Sequence, residues 1–449
     1  MRPFVVKPLL GLEGEISLLG DKSIAHRALI LGAVSCGKTI IKNFPANDDC
    51  LATLKILQEL GVPITKNIQS PKKLSLTVNI EGRGLYGLRK PRKPLFCSES
   101  GTTLRLLLGL LAGQNFSAYL KAAPSLSSRP MLRVTAPLRL MGAAISARRK
   151  TQGAKREEYP PVRISGGGLK SIIYKMPVAS AQVKSALLLA GLYADGKTII
   201  IEPVRTRDHT ERMLRLFKAG VKVIGNKIVI KRRVKLSSPG EIFLPGDISS
   251  AAFFMVLASL IPGARITIKK VSLNPLRTGV IRVLKRMGAH IKVTKSQSHK
   301  VTSAEPIGDL LVKSSSLRGT VVRKKEIPSL IDELPVLMVA ASFAKGKTVF
   351  EGAEELRVKE TDRIRSMSLN LRKMGARISL VKRGNAEKVV ITGTKPLKAV
   401  GVSSFGDHRT AMSMIVAGLA AHGSTKIDDI SCINKSFPDF IAKLNSLKH

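Results

Sequence analysis

Apolar runs long enough to form helices alternate along the chain with short β-branched runs, and a glycine stands at each junction. An apolar helix that ends at a glycine and leads into a strand is typical of a C-terminal glycine cap. The pattern recurs six times, at intervals of 76, 83, 67, 83 and 77 residues. The six glycines are Gly37, Gly113, Gly196, Gly263, Gly346 and Gly423.

A second signal, an apolar residue followed by Gly and then Ala or Val, also precedes short β-like runs. It occurs at Leu60-Gly61-Val62, Met141-Gly142-Ala143, Ala219-Gly220-Val221, Met287-Gly288-Ala289 and Met374-Gly375-Ala376. Together the two signals predict six copies of a strand–helix–strand–helix unit of about 70–85 residues. A chain of 449 residues is long enough for two or three domains. Three copies per domain is the natural division, with the second half beginning near 243–247.

Composition adds a large positive charge to this picture. The 75 Lys and Arg residues outnumber the 31 Asp and Glu residues, for a net charge of +44. Such a surplus first suggests a nucleic-acid-binding protein, because cations that neutralise phosphates release counterions. However, aromatic residues make up only 4% of the chain and Trp is absent, which argues against a base-stacking surface. The cations are also spread along the whole chain, so we interpret them as surface composition that attracts anionic substrates.

Three glycine-rich segments match nucleotide-binding patterns only superficially. Gly32–Thr39 and Gly191–Thr198 fit the P-loop spacing, but each follows an apolar helical run and precedes a β-branched run. A P-loop requires the opposite order, strand and then helix. Gly82–Gly87 fits the dinucleotide pattern, but Pro91 and Pro94 follow too soon for a crossover helix to begin. The sequence therefore predicts a turn at Gly82–Gly87, and it predicts that the other two segments are the ends of apolar helices that lead into strands.

Cysteine spacing, missing motifs and the lack of long apolar segments argue against several classes of protein. Cys36, Cys50, Cys97 and Cys432 show no metal-binding spacing and are typical of reduced thiols. HExxH and GxSxG motifs are absent, so the sequence predicts neither a metal site nor a serine hydrolase. The first residues contain no apolar signal segment, and we expect a cytoplasmic protein. The uncharged stretch Ile248–Ala264 is too short to span a bilayer and predicts a buried core helix.

Cations and small polar residues gather at the predicted helix starts. Gly20–Arg27 and Leu356–Arg363 each place them on what the pattern predicts to be a first helical turn, where N–H groups and the helix dipole favour anions. Arginine grips carboxylates and phosphates through two hydrogen bonds, whereas lysine acts as a point charge. Structural explanations stay open: Ser329 with Asp332 fits a capping box, and Glu360 with Arg363 fits a surface pair.

On these motifs the chain resembles the 5-enolpyruvylshikimate-3-phosphate synthases, which belong to the enolpyruvyl transferases. The resemblance extends almost from end to end, and its most specific segments are Arg357–Arg363 and Asp407–Arg409. It implies an α/β (α+β) fold with two similar domains, each of three βαβαββ-type repeats around buried parallel helices. The active site is then expected in a cleft between the domains. The implied boundaries are 21–243 for the first domain, and 1–20 plus 244–449 for the second.

The reaction implied by the resemblance transfers the enolpyruvyl group of phosphoenolpyruvate to the 5-hydroxyl of shikimate 3-phosphate, without a metal or organic cofactor. The implied catalytic residues are Lys22, Asp332 and Glu360. The residues implied to bind shikimate 3-phosphate are Lys22, Ser23, Arg27, Ser180, Ala181, Gln182, Arg207, Asp332 and Lys359. Those implied to bind phosphoenolpyruvate are Lys22, Gly101, Arg129, Gln182, Arg363, Arg409 and Lys435. In this family glyphosate competes with phosphoenolpyruvate.

The chain departs from the family pattern at a few positions, and two alternative functions remain. Ala181 stands where one branch of the family has a second serine, and Glu99 and Glu355 stand where that branch has asparagine. The first alternative is a UDP-N-acetylglucosamine enolpyruvyl transferase, but the reactive cysteine of that family has no counterpart in Ala123–Met131. The second alternative is a basic nucleic-acid-binding protein. We expect small-molecule substrates, a monomer, and neither a specific nucleic acid nor a membrane as partner.

Overall fold

The structure is a computed structural model and describes residues 3–68, 75–152, 155–233, 235–295, 303–383, 386–393 and 396–448. Contacts among these residues divide the chain into two units. The N-terminal unit comprises the described residues of 20–244 and 298–305. The C-terminal unit comprises those of 1–19, 245–297 and 306–449.

The chain begins with two strands of the C-terminal unit, β1 (Phe4–Val6) and β2 (Glu13–Ser17). It then enters the N-terminal unit. The elements there are α1 (Lys22–Ala33), β3 (Cys36–Pro45), α2 (Asp48–Glu59), β4 (Ile64–Ile68), β5 (Ser75–Arg83), β6 (Leu95–Phe96), α3 (Gly101–Ala112), β7 (Ser117–Lys121), α4 (Pro124–Ser127), α5 (Leu132–Leu140), β8 (Ala144–Gln152), β9 (Lys155–Ser165), β10 (Ile173–Lys175), α6 (Ala181–Gly191), β11 (Lys197–Ile201), α7 (His209–Leu216), β12 (Lys222–Ile224), β13 (Lys227–Lys231) and β14 (Glu241–Phe243).

The rest of the chain completes the C-terminal unit and includes four 3-10 helices, η1 to η4, among its described residues. Its elements are α8 (Ile248–Leu260), β15 (Arg265–Ser272), α9 (Gly279–Arg286), β16 (His290–Lys295), β17 (Ile307–Lys313), β18 (Val321–Val322), η1 (Lys324–Ser329), η2 (Ile331–Glu333), α10 (Leu334–Phe343), β19 (Lys347–Glu351), η3 (Glu354–Val358), α11 (Arg363–Lys373), β20 (Arg377–Arg383), β21 (Ala386–Thr392), β22 (Gly401–Val402), α12 (His408–Ala420), β23 (Thr425–Ile427), η4 (Ser431–Lys435) and α13 (Phe440–Asn445).

Strand pairing repeats from sheet to sheet within the described residues. The N-terminal unit has three four-stranded sheets, in the orders β14-β3-β5-β4, β6-β7-β9-β8 and β10-β11-β13-β12. In each sheet the first pair is parallel and the other two are antiparallel. The C-terminal unit has the orders β16-β17-β15-β2, β18-β19-β21-β20 and β1-β23-β22. The predicted mixed α/β class is therefore confirmed.

Six apolar helices form the centres of the two units. In the N-terminal unit these are α1, α3 and α6, and in the C-terminal unit they are α8, α10 and α12. Nearly all of their residues are buried, including every residue from Ile248 to Ser259 of α8. A helix that is apolar on every face must be surrounded by protein. The prediction of a buried helix near 248–264 is thus correct, and no helix among the described residues is long and apolar enough to cross a membrane.

The junction glycines have two different physical roles. Gly37, the second residue of β3, has a φ of 92°, a left-handed conformation that L side chains rarely adopt. Gly113 instead follows α3 with a φ of −87°. A Cβ at this glycine would lie 2.1 Å from Cγ of Tyr193, so it is close packing that requires glycine there. Both P-loop-like segments run from helix to strand, as predicted.

The prediction of a first helical turn at Lys359 and Glu360 is wrong. The 3-10 helix η3 ends at Val358, and Lys359 is extended with φ −84° and ψ −156°. The α-helix begins only at Arg363, and the Asp362 side chain caps it by accepting a hydrogen bond from the N–H of Arg365 at 3.0 Å. Lys359 and Glu360 therefore lie in the loop that leads into α11.

Candidate active site

The start of α1 carries three of the predicted residues. The Asp21 carboxylate caps the helix by accepting from the N–H of Ile24 at 3.0 Å. Lys22 and Ser23 therefore stand in the first turn, where N–H groups lack helical partners. The ammonium of Lys22 lies 2.9 Å from a carboxylate oxygen of Asp49 in α2. This partner was not predicted, because no local sequence signal connects positions 22 and 49.

Arg27, one turn further along α1, is buried, and its hydrogen-bond acceptors are neutral groups. Its guanidinium donates to Oγ1 of Thr210 at 2.6 Å, to Oγ of Ser185 at 2.7 Å and to the carbonyl of Ser23 at 2.7 Å. Burial, together with the nearby charge of Arg207, lowers the pKa of Arg27 to about 10, although Glu211 opposes this shift. A buried cation whose hydrogen-bond acceptors are neutral is suited to binding an anion.

Gln182 connects the starts of three helices. It follows Ala181, the first residue of α6, and the helix is capped by Ser180 through the N–H of Val183 at 3.4 Å. The amide nitrogen of Gln182 donates to Oγ1 of Thr102 in α3 at 2.8 Å, and its oxygen lies 3.5 Å from Nη2 of Arg27. Ser185 lies three residues after Gln182 on the same helical face, a spacing that the sequence alone could have revealed.

Gly101, the first residue of α3, lies beside two guanidinium groups. Nη1 of Arg105 donates to the Gly101 carbonyl at 3.4 Å, and Nη2 donates to the carbonyl of Pro130 at 3.2 Å. A Cβ on Gly101 would lie 2.7 Å from Nη1 of Arg105 and 2.8 Å from Nη1 of Arg129. The structure therefore brings Gly101 and Arg129 together, with Arg105 beside them.

In the C-terminal unit, Arg363 forms ion pairs with three carboxylates. Its Nε lies 2.9 Å from Oδ2 of Asp407, its Nη2 lies 2.5 Å from Oε2 of Glu360, and its Nη1 lies 3.6 Å from Oδ1 of Asp332. Arg363 and Asp407 are buried. Burial opposes ionisation of Asp407, but Arg363 and His408 outweigh it and hold the pKa of this carboxyl below its usual value. The three carboxylates raise the pKa of Arg363 although burial lowers it.

Asp332 also contacts two other predicted residues. The ammonium of Lys359 lies 3.4 Å from its Oδ1, and Nη1 of Arg409 donates to its backbone carbonyl at 2.7 Å. Asp332 belongs to the 3-10 helix η2, not to a capping box with Ser329. Glu360 and Arg363 form an ion pair, but one of its members is buried, so the simple surface-pair explanation is wrong.

Lys435 lies at the end of the 3-10 helix η4, which packs against α12. Its charge acts on the thiol of Cys432, three residues earlier, but burial and Asp407 raise the pKa of that thiol to about 12. Cys432 is therefore protonated at neutral pH and unsuited to be a nucleophile. All four cysteines are free, and no group of three metal-ligating side chains occurs in the part of the chain that the structure describes.

Sequence reasoning missed the residues that hold these groups in place. Arg357 donates to Asp362 at 2.5 Å and to both carboxylate oxygens of Glu387 at 2.6 and 2.8 Å. These contacts hold both ends of the loop that contains Lys359 and Glu360. Asp407 has two functions, since it binds Arg363 and also caps α12 through the N–H groups of Arg409 and Thr410 at 2.8 and 3.0 Å.

Comparison with known proteins identifies the family. The model of the family described as "EPSP synthase (3-phosphoshikimate 1-carboxyvinyltransferase)" matches residues 6–444. The chain belongs to the EPSP synthase family. It is 46% identical over 447 residues to the 3-phosphoshikimate 1-carboxyvinyltransferase of Geobacter sp. (strain M21), covering 100% of this chain and 99% of that protein. It is also 46% identical over 442 residues to the enzyme of the same name from Thermoanaerobacter sp. (strain X514), with 98% and 99% covered.

Solved structures agree with this assignment. The EPSP synthase of Acinetobacter baumannii matches with a TM-score of 0.84 and 42% sequence identity, over 100% of this chain and 98% of that one. The resemblance inferred from the motifs is thus confirmed. The chain is a carboxyvinyltransferase of the EPSP synthase family, an enzyme of the shikimate pathway. Neither the UDP-N-acetylglucosamine enolpyruvyl transferases nor a nucleic-acid-binding class is favoured.

Proposed function

We propose that Lys22, Asp332 and Glu360 carry the proton transfers by which this enzyme moves the enolpyruvyl group of phosphoenolpyruvate onto the 5-hydroxyl of shikimate 3-phosphate. The observation that supports this best is the ion-pair cluster around Arg363. It holds two partly exposed carboxylates, Asp332 and Glu360, on one buried guanidinium. Neighbouring cations favour the ionised form of a carboxyl group and partial burial favours the protonated form, and a group under both influences can donate a proton and then regain it.

The reaction has an addition step and an elimination step. In the addition, Glu360 in its protonated form protonates carbon 3 of phosphoenolpyruvate, and carbon 2 becomes electrophilic. The 5-hydroxyl oxygen then bonds to carbon 2 while its proton passes to Asp332 or to the neutral amine form of Lys22. In the elimination, the tetrahedral ketal loses phosphate from carbon 2 and a methyl proton from carbon 3 to Glu360. The double bond re-forms, and the proton taken from the 5-hydroxyl passes to the departing phosphate, so that the atoms and charges balance and each side chain returns to its starting form.

Binding of the substrates is proposed for the remaining cations and polar groups. Both substrates carry a phosphate and a carboxylate, which need positively charged partners. In our proposal, shikimate 3-phosphate is held by Ser23, Arg27, Ser180, Gln182, Arg207 and Lys359, with Ala181 alongside. Phosphoenolpyruvate is held by Gly101, Arg129, Arg363, Arg409 and Lys435. The two contact-defined units would be the two catalytic domains of a cytoplasmic monomer.

Phosphate release provides the direct test of this function. Purified protein with phosphoenolpyruvate and shikimate 3-phosphate should release one phosphate per enolpyruvyl group transferred, measured by a coupled phosphate assay and by mass spectrometry of the product. UDP-N-acetylglucosamine in place of shikimate 3-phosphate should release none. The proposal would be contradicted by an absence of phosphate release with shikimate 3-phosphate, or by phosphate release with UDP-N-acetylglucosamine.

Gly101→Ala tests the proposed phosphoenolpyruvate site. The new methyl group would meet the Arg105 and Arg129 guanidinium groups at 2.7 and 2.8 Å, so these must shift. We expect the KM for phosphoenolpyruvate to rise about tenfold, equivalent to roughly 1.4 kcal/mol of steric cost. The inhibition constant for glyphosate, a longer molecule, should rise by more. An unchanged inhibition constant would show that Gly101 does not line this site.

A further inference from the structure

Three fully buried charges lie together in the N-terminal unit, beneath residues that we propose bind substrate. Nζ of Lys184 lies 3.1 Å from Oε2 of Glu202 and 2.8 Å from Oε1 of Glu211, and none of these side chains is exposed. Lys184 lies in α6, Glu202 directly follows β11, and Glu211 lies in α7. Removing ions from water carries a large free-energy cost that pairing offsets only in part. A well-packed apolar cluster would stabilise the same fold at least as well, so the charges point to a role beyond stability.

Glu202 and Lys184 together bind every polar group of Thr206. The backbone N–H of Thr206 donates to Oε1 of Glu202 at 3.1 Å, and its hydroxyl makes a short hydrogen bond to the same oxygen. Its carbonyl accepts from Nζ of Lys184 at 3.3 Å. The peptide groups on both sides of this residue are therefore held, and the next residue in the chain is Arg207.

The segment 202–206 also forms hydrogen bonds with a second part of the N-terminal unit. The carbonyl of Glu202 accepts a hydrogen bond from the side-chain amide of Asn226 at 2.7 Å. The backbone N–H of Glu202 donates to the Asn226 carbonyl at 3.0 Å. Nη1 of Arg205 donates to the carbonyl of Gly225 at 2.8 Å. The segment 202–206 is thus held between the buried cation and the turn that joins β12 to β13.

Glu211 extends the same network toward Arg27. Its neighbour Thr210 contacts Nε of Arg27 and Oγ of Ser185, each at 2.6 Å. Ser185 is in turn the neighbour of Lys184. Two groups of polar contacts, one around Lys184 and one around Arg27, are therefore joined through the adjacent pairs Ser185–Lys184 and Thr210–Glu211. Arg27 and Arg207 carry like charges and repel each other, so each must be held in place by its surroundings.

We propose that Lys184, Glu202 and Thr206 are positioning residues that fix Arg207 for the binding of shikimate 3-phosphate. This inference rests on the proposed function, in which Arg207 grips that substrate. A loop that is already ordered loses little conformational freedom when the ligand arrives, so more of the interaction energy remains as affinity. The network should therefore affect affinity for shikimate 3-phosphate, and leave the chemical step and phosphoenolpyruvate binding unaffected.

Thr206→Val tests the proposal, because it keeps the side-chain shape and removes only the hydroxyl that binds Glu202. We expect the KM for shikimate 3-phosphate, and its dissociation constant by calorimetry, to rise about tenfold, as for a lost hydrogen bond to a charged group. The kcat and the KM for phosphoenolpyruvate should stay within about twofold of wild type. Thr206→Ser, which retains the hydroxyl, should bind the substrate as the wild type does.

Thr135→Val is the matched control in the same unit. The buried hydroxyl of Thr135 donates to Oε2 of Glu158 at 2.5 Å, and Arg139 binds the same carboxylate at 2.8 and 2.9 Å. This control should lower the Tm as much as Thr206→Val does, without changing the affinity for shikimate 3-phosphate. If Thr206→Val loses thermal stability but binds this substrate as tightly as wild type, the network is only structural and the proposal fails.

A double-mutant cycle links the network to Arg207. When Arg207→Met is already present, adding Thr206→Val should weaken binding of shikimate 3-phosphate by less than about twofold, since the residue to be positioned is gone. A full additive tenfold loss would overturn the proposal. Failure of the proposed function itself would look different, because the wild-type protein would then neither bind shikimate 3-phosphate nor release phosphate.

Discussion

Glu360→Gln should lower kcat about 10²- to 10⁴-fold, the usual contribution of a positioned acid–base group. Glutamine keeps the size of the side chain and can still accept a hydrogen bond from Arg363, which lies 2.5 Å from the carboxylate in the wild type. It cannot release and regain a proton at neutral pH. The KM values for both substrates should therefore change little, and the loss should fall on the chemical steps. Steady-state kinetics with each substrate varied in turn will measure this.

Isotope exchange gives an independent measurement of the same role. In deuterated water with shikimate 3-phosphate present, the wild-type enzyme should incorporate deuterium into the methylene of phosphoenolpyruvate, because addition is reversible. This incorporation should collapse in Glu360→Gln. If the variant exchanges and turns over like wild type, Glu360 is not the proton donor, and Asp332 or Lys22 must take that role.

Lys359→Met is the natural control for Glu360→Gln, since the two positions are adjacent in one loop. Their side chains have different partners: Lys359 lies 3.4 Å from Asp332, whereas Glu360 binds Arg363. Removal of the Lys359 charge should mainly raise the KM for shikimate 3-phosphate and should lower kcat much less. The same loss of kcat in both variants would indicate damage to the loop and not two separate roles.

The sequence predicts helix starts well where the signal is local. Asp21 before an apolar run is a helix-capping pattern, and the structure places the cap there and Lys22 in the first turn. The alternation of apolar runs and glycines likewise predicts the repeated helix–strand order. Each of these signals lies within a few residues of the feature it predicts.

Local reasoning fails where distant residues decide the conformation. The segment around Lys359 has helical composition, but Arg357 is bound to Glu387, 30 positions away, and Lys359 is drawn to Asp332. With these contacts in place, Lys359 has an extended backbone and the α-helix begins only at Arg363. The pairing of Lys184 with Glu202 could not be predicted from the sequence for the same reason, because only the fold brings α6 next to the end of β11.

Asp407→Asn should strongly destabilise the C-terminal unit, because it breaks a buried ion pair. Asparagine can still cap α12 through Oδ1, but its Nδ2 then faces Nε of Arg363, so the change removes both the charge and the hydrogen bond that bind Arg363. Loss of one partner from a buried ion pair costs about 3–5 kcal/mol, and the lower figure applies because Arg363 retains Glu360 and Asp332. For a cooperative unit of roughly 200 residues this corresponds to a Tm about 6–12 °C lower at pH 7.

The pH dependence of this loss identifies its cause. The folded protein holds the pKa of Asp407 below its usual value, because Arg363 outweighs the effect of burial. A depressed carboxyl pKa stabilises the fold fully above the unfolded value of about 3.9 and loses that effect as the pH falls through the folded pKa. The difference in Tm between wild type and Asp407→Asn should therefore be constant from pH 7 to about pH 5 and shrink below about pH 4.

Asp247→Asn provides the matched control for this measurement. Asp247 caps α8 in the same unit through the N–H of Ser249 at 2.7 Å, and it takes part in none of the ion pairs found among the described residues. Its substitution by asparagine should change the free energy of unfolding by no more than about 0.5 kcal/mol. Equal losses in both variants would show that helix capping matters more than the ion pair. A difference for Asp407→Asn that persists undiminished at pH 3 would show that the carboxylate charge is not what stabilises Arg363 in the fold.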